Sequence, residues 1–119
     1  MEETTHAMDA RTLTTRAVTI LADKKGEELV ALDVSDVSSL SDYVIVVSGS
    51  SPPHLKAMFN DVQHTLKQEG VQPFRKSGTP ESGWMVIDYV DVVIHIFLHN
   101  TRHYYALEDL WPEAPRLAC

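Results

Sequence analysis

Gly83-Trp84-Met85-Val86-Ile87-Asp88-Tyr89-Val90-Asp91-Val92-Val93-Ile94-His95-Ile96-Phe97 reads as two β-strands joined by a tight turn at Tyr89-Val90-Asp91. Side chains alternate across a strand, so residues two apart share a face. Met85 and Ile87 take one face of the first strand, and Ile94, Ile96 and Leu98 one face of the second. That set is aliphatic, as a core face should be. The other set holds Trp84, Val86, Asp88, Val93, His95 and Phe97. Aromatic anchors beside polar groups form the kind of surface that binds another protein. The same pattern also arises if a helix covers this face and Trp84 is core. Periodicity alone leaves both readings open.

Around the hairpin, other segments carry helix and strand patterns. Residues 10–25 place Leu13, Ala17, Ile20 and Leu21 at helical spacing and end in Lys24-Lys25-Gly26, a helix stop. Glu28 to Val34 predicts a strand. Residues 36–42 predict a polar connection, and Tyr43–Ser48 is an almost unbroken apolar run that suits a strand buried on both faces. Ser51 is a candidate N-cap for a helix over 52–69, followed by Pro52. Its apolar stripe is Leu55, Met58, Phe59, Val62 and Leu66. Pro73–Lys76 predicts a short edge strand, Ser77–Ser82 a loop, and residues 101–110 a last helix whose buried side is Tyr104, Leu107 and Leu110-Trp111. The expected architecture is an α/β domain with a mixed sheet of about five strands and flanking helices. It spans residues 10–112, between a flexible segment at 1–9 and a tail at 113–119.

Composition bounds the class. The 119 residues suffice for one core, with 44% hydrophobic and 23% charged residues. No run of eighteen apolar residues is present, so no membrane span is expected. The N-terminal residues are acidic and polar, without the pattern of a secretory signal or an Arg-rich presequence. A cytoplasmic location is expected, and the lone Cys119 fits a reducing compartment. The net charge of −7 and scattered Lys and Arg argue against direct DNA or RNA binding and for a basic protein partner.

Three constellations are candidates for chemistry. Ser48-Gly49-Ser50-Ser51 lies between a strand and a helix N-terminus, where phosphate binds, yet it matches no phosphate-loop fingerprint. A strand-to-helix turn with an N-cap is the simpler reading. Asp88 and Asp91 flank the hairpin turn and are candidates for Mg²⁺, although a spacing of three across a turn makes them diverge; turn formation and a surface contact are the alternatives. His95, His99 and His103 recur every four residues, but His95 is mid-strand and no further ligands are placed to complete a metal site.

Asp33-Val34, Ser39-Leu40-Ser41-Asp42-Tyr43, Ser48-Gly49-Ser50-Ser51, Trp84, Asp88 to Phe97, Arg102, Tyr105, Leu107-Glu108 and Leu110-Trp111, in this order and spacing, resemble the ribosomal silencing factor or Iojap family. The resemblance runs from about residue 10 to Trp111. It implies a domain related in fold to nucleotidyltransferases but without their Asp-x-Asp element, and a bacterial cytosolic form. It also implies binding to the fourteenth protein of the large ribosomal subunit, which blocks subunit joining and lowers translation when nutrients are short. No cofactor and no catalysis are then expected. The expected partner surface comprises Trp84 and Phe97 as anchors, Asp88 and Asp91 facing basic groups, and Tyr89, His95, Arg102 and Tyr105 around them. A homodimer of the free protein is a further expectation, since an exposed apolar face also self-associates. The competing expectation is a small metal-dependent nucleotidyltransferase, or another phosphate-handling enzyme, built on Ser50, Asp88 and Asp91.

Overall fold

The computed structural model describes residues 8–117. Five strands form one sheet in the order β1-β2-β5-β4-β3: β1 Glu27–Asp33, β2 Tyr43–Gly49, β3 Arg75–Thr79, β4 Trp84–Asp88 and β5 Val92–Leu98. Only β2 and β5 are parallel; every other pairing is antiparallel. The mixed sheet expected from the hairpin is therefore present, with β5 at its centre.

Helices α1 (Ala10–Asp23) and α2 (Pro52–Gln68) cover one face. α1 buries Leu13, Ala17, Ile20 and Leu21, and α2 buries Leu55, Met58, Val62 and Leu66. They meet Ile45, Val47, Met85, Ile87, Ile94 and Ile96 from the sheet. Ser51 caps α2 by accepting from the His54 N–H, as its position implied. At the end of α1 the left-handed residue is Lys25 (φ 65°), not Gly26. Gly26 is required for a different reason, because a Cβ there would lie 2.6 Å from Val47 Cγ2.

The opposite face has a second, smaller core of Leu32, Val34, Val44, Val46 and Phe97. It is roofed by Leu107, Trp111 and Ala114, which come after α3 (His99–Tyr105), in and beyond a 3₁₀ turn (Leu107–Leu110). The single helix expected over 101–110 is thus broken. Ala106 adopts φ 45° and ψ 51°, which turns the residues after it to a new helical phase. Tyr104 and Leu110, expected on the buried side, are exposed as a result, while Arg102 is buried.

The boundaries also shift. Of the N-terminal segment expected to be flexible, residues 1–7 lie outside the described residues; Met8 packs against the main core and Asp9 caps α1 through the Thr12 N–H. Beyond residue 112, Asp33 N–H donates to Pro115 O and Leu117 N–H to Ala31 O. The chain expected as a tail thereby covers the free edge of β1. β3 runs to Thr79, into the segment expected as a loop, and keeps an open outer edge. Among the described residues no helix is long and apolar enough to cross a membrane.

Candidate protein-docking face

The second face is only partly roofed: β3 is exposed along its whole length, and Trp84, Val86 and Asp88 of β4 are half-buried. Cross-strand register sets Trp84 opposite Phe97 and Val86 opposite His95. Trp84 is half-buried, with its ring centroid 4.9 Å from Phe97 and 4.7 Å from Tyr105. Its indole N–H donates to His95 Nδ1 at 3.1 Å. The rings border an open cleft of about 360 Å³ lined by Ser77, Gly78, Ser82, Trp84, Val86, Thr101 and Tyr105. The cleft floor needs α3 close to the sheet. Gly83 (φ 80°) permits this, since a Cβ there would stand 2.4 Å from Thr101 Oγ1.

The indole bond fixes His95 in the tautomer with Nδ1 bare. Burial pushes its pKa down to about 4, against the opposing charge of Asp88. The unfolded chain then takes up a proton near pH 6.5 that the folded chain refuses. Stability is therefore full above about pH 6.5 and falls as pH drops toward 4, by about 1.4 kcal/mol per pH unit. Urea titrations at pH 7 and pH 5 should show this loss, and His95→Gln should flatten it. An imidazole that titrates near 6.5 by NMR in the folded protein would contradict it.

The structure keeps some of the expected surface residues at the face and removes others. Trp84, His95 and Tyr105 line or flank the cleft. Phe97 is fully buried under Trp84 because Leu107, Trp111 and Ala114 close over the second core. It supports Trp84 and presents no contact surface. Tyr89 is likewise fully buried, in the main core, where burial pushes its phenol pKa up. Arg102 is also internal: it donates to Glu28 O (2.6 Å), Ser48 Oγ (2.9 Å) and Glu108 Oε2 (2.8 Å). Asp88 is engaged within the chain, accepting from Val90 N–H at 2.7 Å and pairing with Arg75 at 3.4 Å. Asp91 is exposed and, among the described residues, has no ion pair. Sequence reasoning missed Ser77, Gly78, Ser82 and Thr101 at the cleft. Small polar residues in a turn and an α3 threonine carry no signal until the turn folds against the helix. Val86 was readable from its alternation with Trp84.

The enzyme constellation does not assemble. β2 and β5 run in parallel, pairing Tyr43 with Val92 and Gly49 with Leu98. Ser50 follows the C-terminal end of β2, and Asp88 and Asp91 stand at the opposite end of the sheet. A seven-residue strand separates them by about 20 Å. The Ser48–Ser51 turn is also already engaged: its Ser50 N–H donates to His54 Nδ1 (3.0 Å), and its Ser51 Oγ accepts from the His54 N–H of α2 (3.3 Å). His99 lies away from His95, with its two ring nitrogens on Glu27 (2.5 Å) and Glu28 (3.2 Å). Among the described residues no group of three or more His, Cys, Asp or Glu could hold a metal ion.

The sequence model of the family "Ribosomal silencing factor during starvation" matches residues 7–118. A ribosomal silencing factor of Halalkalibacterium halodurans is 34% identical over 99 residues, which cover 83% of this chain and 85% of the relative. The mouse protein named "Mitochondrial assembly of ribosomal large subunit protein 1" is 30% identical over 97 residues, covering 79% of this chain and 42% of the relative. A crystal structure of a Chromobacterium violaceum protein superposes with a TM-score of 0.85 at 35% identity, over 94% of each chain. The chain belongs to the ribosomal silencing factor family.

Proposed function

We propose that this protein lowers translation by occupying the large ribosomal subunit in the cytoplasm and blocking subunit joining sterically, without catalysis. The observation that carries the reading is the half-open aromatic cleft in a chain of this family: Trp84 and Tyr105 present area, and Phe97 stiffens Trp84 from beneath. The partner that suits it is a basic ribosomal protein, the fourteenth of the large subunit. Charge is divided to match. The segments of α1 and α2, residues 8–26 and 50–70, hold six Lys or Arg against four Asp or Glu, whereas the rest of the described chain holds four against eleven. An acidic sheet side steers a basic partner toward the cleft and away from the helices.

A blocker acts by occupancy. Inhibition of subunit joining, followed by light scattering, should saturate near one copy per large subunit and need no added nucleotide. Ser50→Ala should inhibit as well as wild type, because Ser50 is a turn residue that does not line the cleft. Turnover-like inactivation at substoichiometric protein, abolished by Ser50→Ala in a folded variant, would replace this reading with an enzymatic one.

A further inference from the structure

The end of the sheet that holds Asp88 carries large apolar side chains that neither core uses. Leu40 is 84% exposed, Phe74 69% and Val90 46%. Backbone bonds put them on one rim. Phe74 N–H donates to Asp88 O (2.7 Å), Ser41 Oγ to Val90 O (3.2 Å) and Asp42 N–H to Asp91 O (2.9 Å). The lead-in to β3, the β4–β5 turn and the β1–β2 connection therefore lie side by side. Val90 is held at φ 75°, a region that β-branched residues avoid. Asp91 N–H reaches Tyr89 O at 3.0 Å, closing a three-residue turn with Val90 at its tip. Backbone strain of this kind gathers at functional sites.

Beside Val90 stand Asp42 and Asp91, both exposed and, among the described residues, without an ion pair. Arg75, next to Phe74 in the chain, is spent on Asp88 and on the Phe74 ring, 5.5 Å from its centroid.

We propose that this rim is a second docking surface, distinct from the aromatic cleft, and that it takes a basic polypeptide segment with an apolar side chain between its Lys or Arg residues. Charge selects this occupant. RNA and anionic membranes are repelled by these carboxylates. A second copy packed here about a two-fold axis would set the same carboxylates against one another. A basic protein segment satisfies them and covers Leu40, Val90 and Phe74 together.

The inference rests on the large-subunit reading for the source of the segment, and the test separates the two. Wild type, Trp84→Ala and the double variant Leu40→Ser, Phe74→Ser are titrated against isolated large subunits and against the purified fourteenth protein. Both double-variant positions are exposed, so its melting temperature should match wild type. It should bind large subunits about tenfold more weakly and the purified protein with unchanged affinity. A photo-crosslinker on Leu40→Cys, placed in a Cys119→Ser background, should attach to a Lys- or Arg-rich peptide of a different protein. Wild-type affinity of the double variant for large subunits overturns the second surface. Equal loss on both probes makes the rim part of the first interface and also overturns it, as does crosslinking to RNA alone. If Trp84→Ala binds normally while the double variant is weakened, the cleft reading fails and the rim stands. Failure of wild type to bind large subunits overturns both.

Discussion

Arg102→Ala is expected to remove roughly 3–5 kcal/mol of folding stability, read from the urea midpoint. One guanidinium serves four elements. It donates to the Glu28 carbonyl on β1, the Ser48 hydroxyl on β2 and the Glu108 carboxylate on the 3₁₀ turn, while its own backbone belongs to α3. Both ionic partners are buried or nearly so, with side-chain exposures of 6% and 19%. Burial alone would raise the Glu108 pKa, but the hydrogen bonds from Arg102 and the backbone and the charges of Arg102 and Arg116 together outweigh it and hold the carboxyl below its ordinary range. Removing the guanidinium leaves a largely enclosed carboxylate without its ion-pair partner and a buried hydroxyl without its donor, and these uncompensated groups set the size of the loss. Adding Glu108→Gln should recover part of it. A single variant within about 1 kcal/mol of wild type would mean the site admits water and the ion pair holds nothing in place.

Trp84→Ala is expected to weaken binding to large subunits at least thirtyfold, about 2 kcal/mol, which is the size of a true interface anchor. The variant should still fold. The indole is half-buried, so its loss should cost roughly 2 kcal/mol of stability, short of the 3–5 kcal/mol of a fully buried aromatic. Trp84→Phe separates the contributions, because it keeps stacking on Phe97 and Tyr105 but loses the bond to His95. Titration of folded Trp84→Ala against large subunits decides the matter, and wild-type affinity would remove the cleft from the interface.

Much of the architecture was legible because periodicity is local. The two faces of the hairpin, the stripe of α2 and the doubly buried β2 come from alternation and helical spacing that tertiary packing reinforced. Phe97 and Tyr89 show where that logic stops. Each carried the right residue type for a surface anchor. Their burial depends on Leu107, Trp111 and Ala114 for Phe97 and on the main core for Tyr89, and alternation along a strand does not reveal what covers it. Arg102 was misplaced because the helix period was carried through Ala106, whose left-handed backbone resets it. The separation of Ser50 from the two aspartates arises from the parallel register of β2 and β5, which no local pattern encodes. The rim residues Leu40 and Phe74 were hidden for the opposite reason. They sit in segments that read as connections, where a single apolar side chain draws no attention until the fold aligns it with others.

The place of β5 governs how the chain acquires this structure. The central strand is the last of the five in sequence, and it joins the β1-β2 pair to the β4-β3 pair. Until Val92–Leu98 is synthesised, those pairs are separate two-stranded ribbons, and isolated ribbons are marginal in water. The β2–β5 pairing also bridges 48 intervening positions at each rung, from Tyr43 with Val92 to Gly49 with Leu98. Closing so long a loop delays the rate-limiting step, so folding should be slow for the size of the domain and nearly all-or-none. Most of the chain would then leave its own ribosome unfolded, and acquire the cleft and the rim together in one late event.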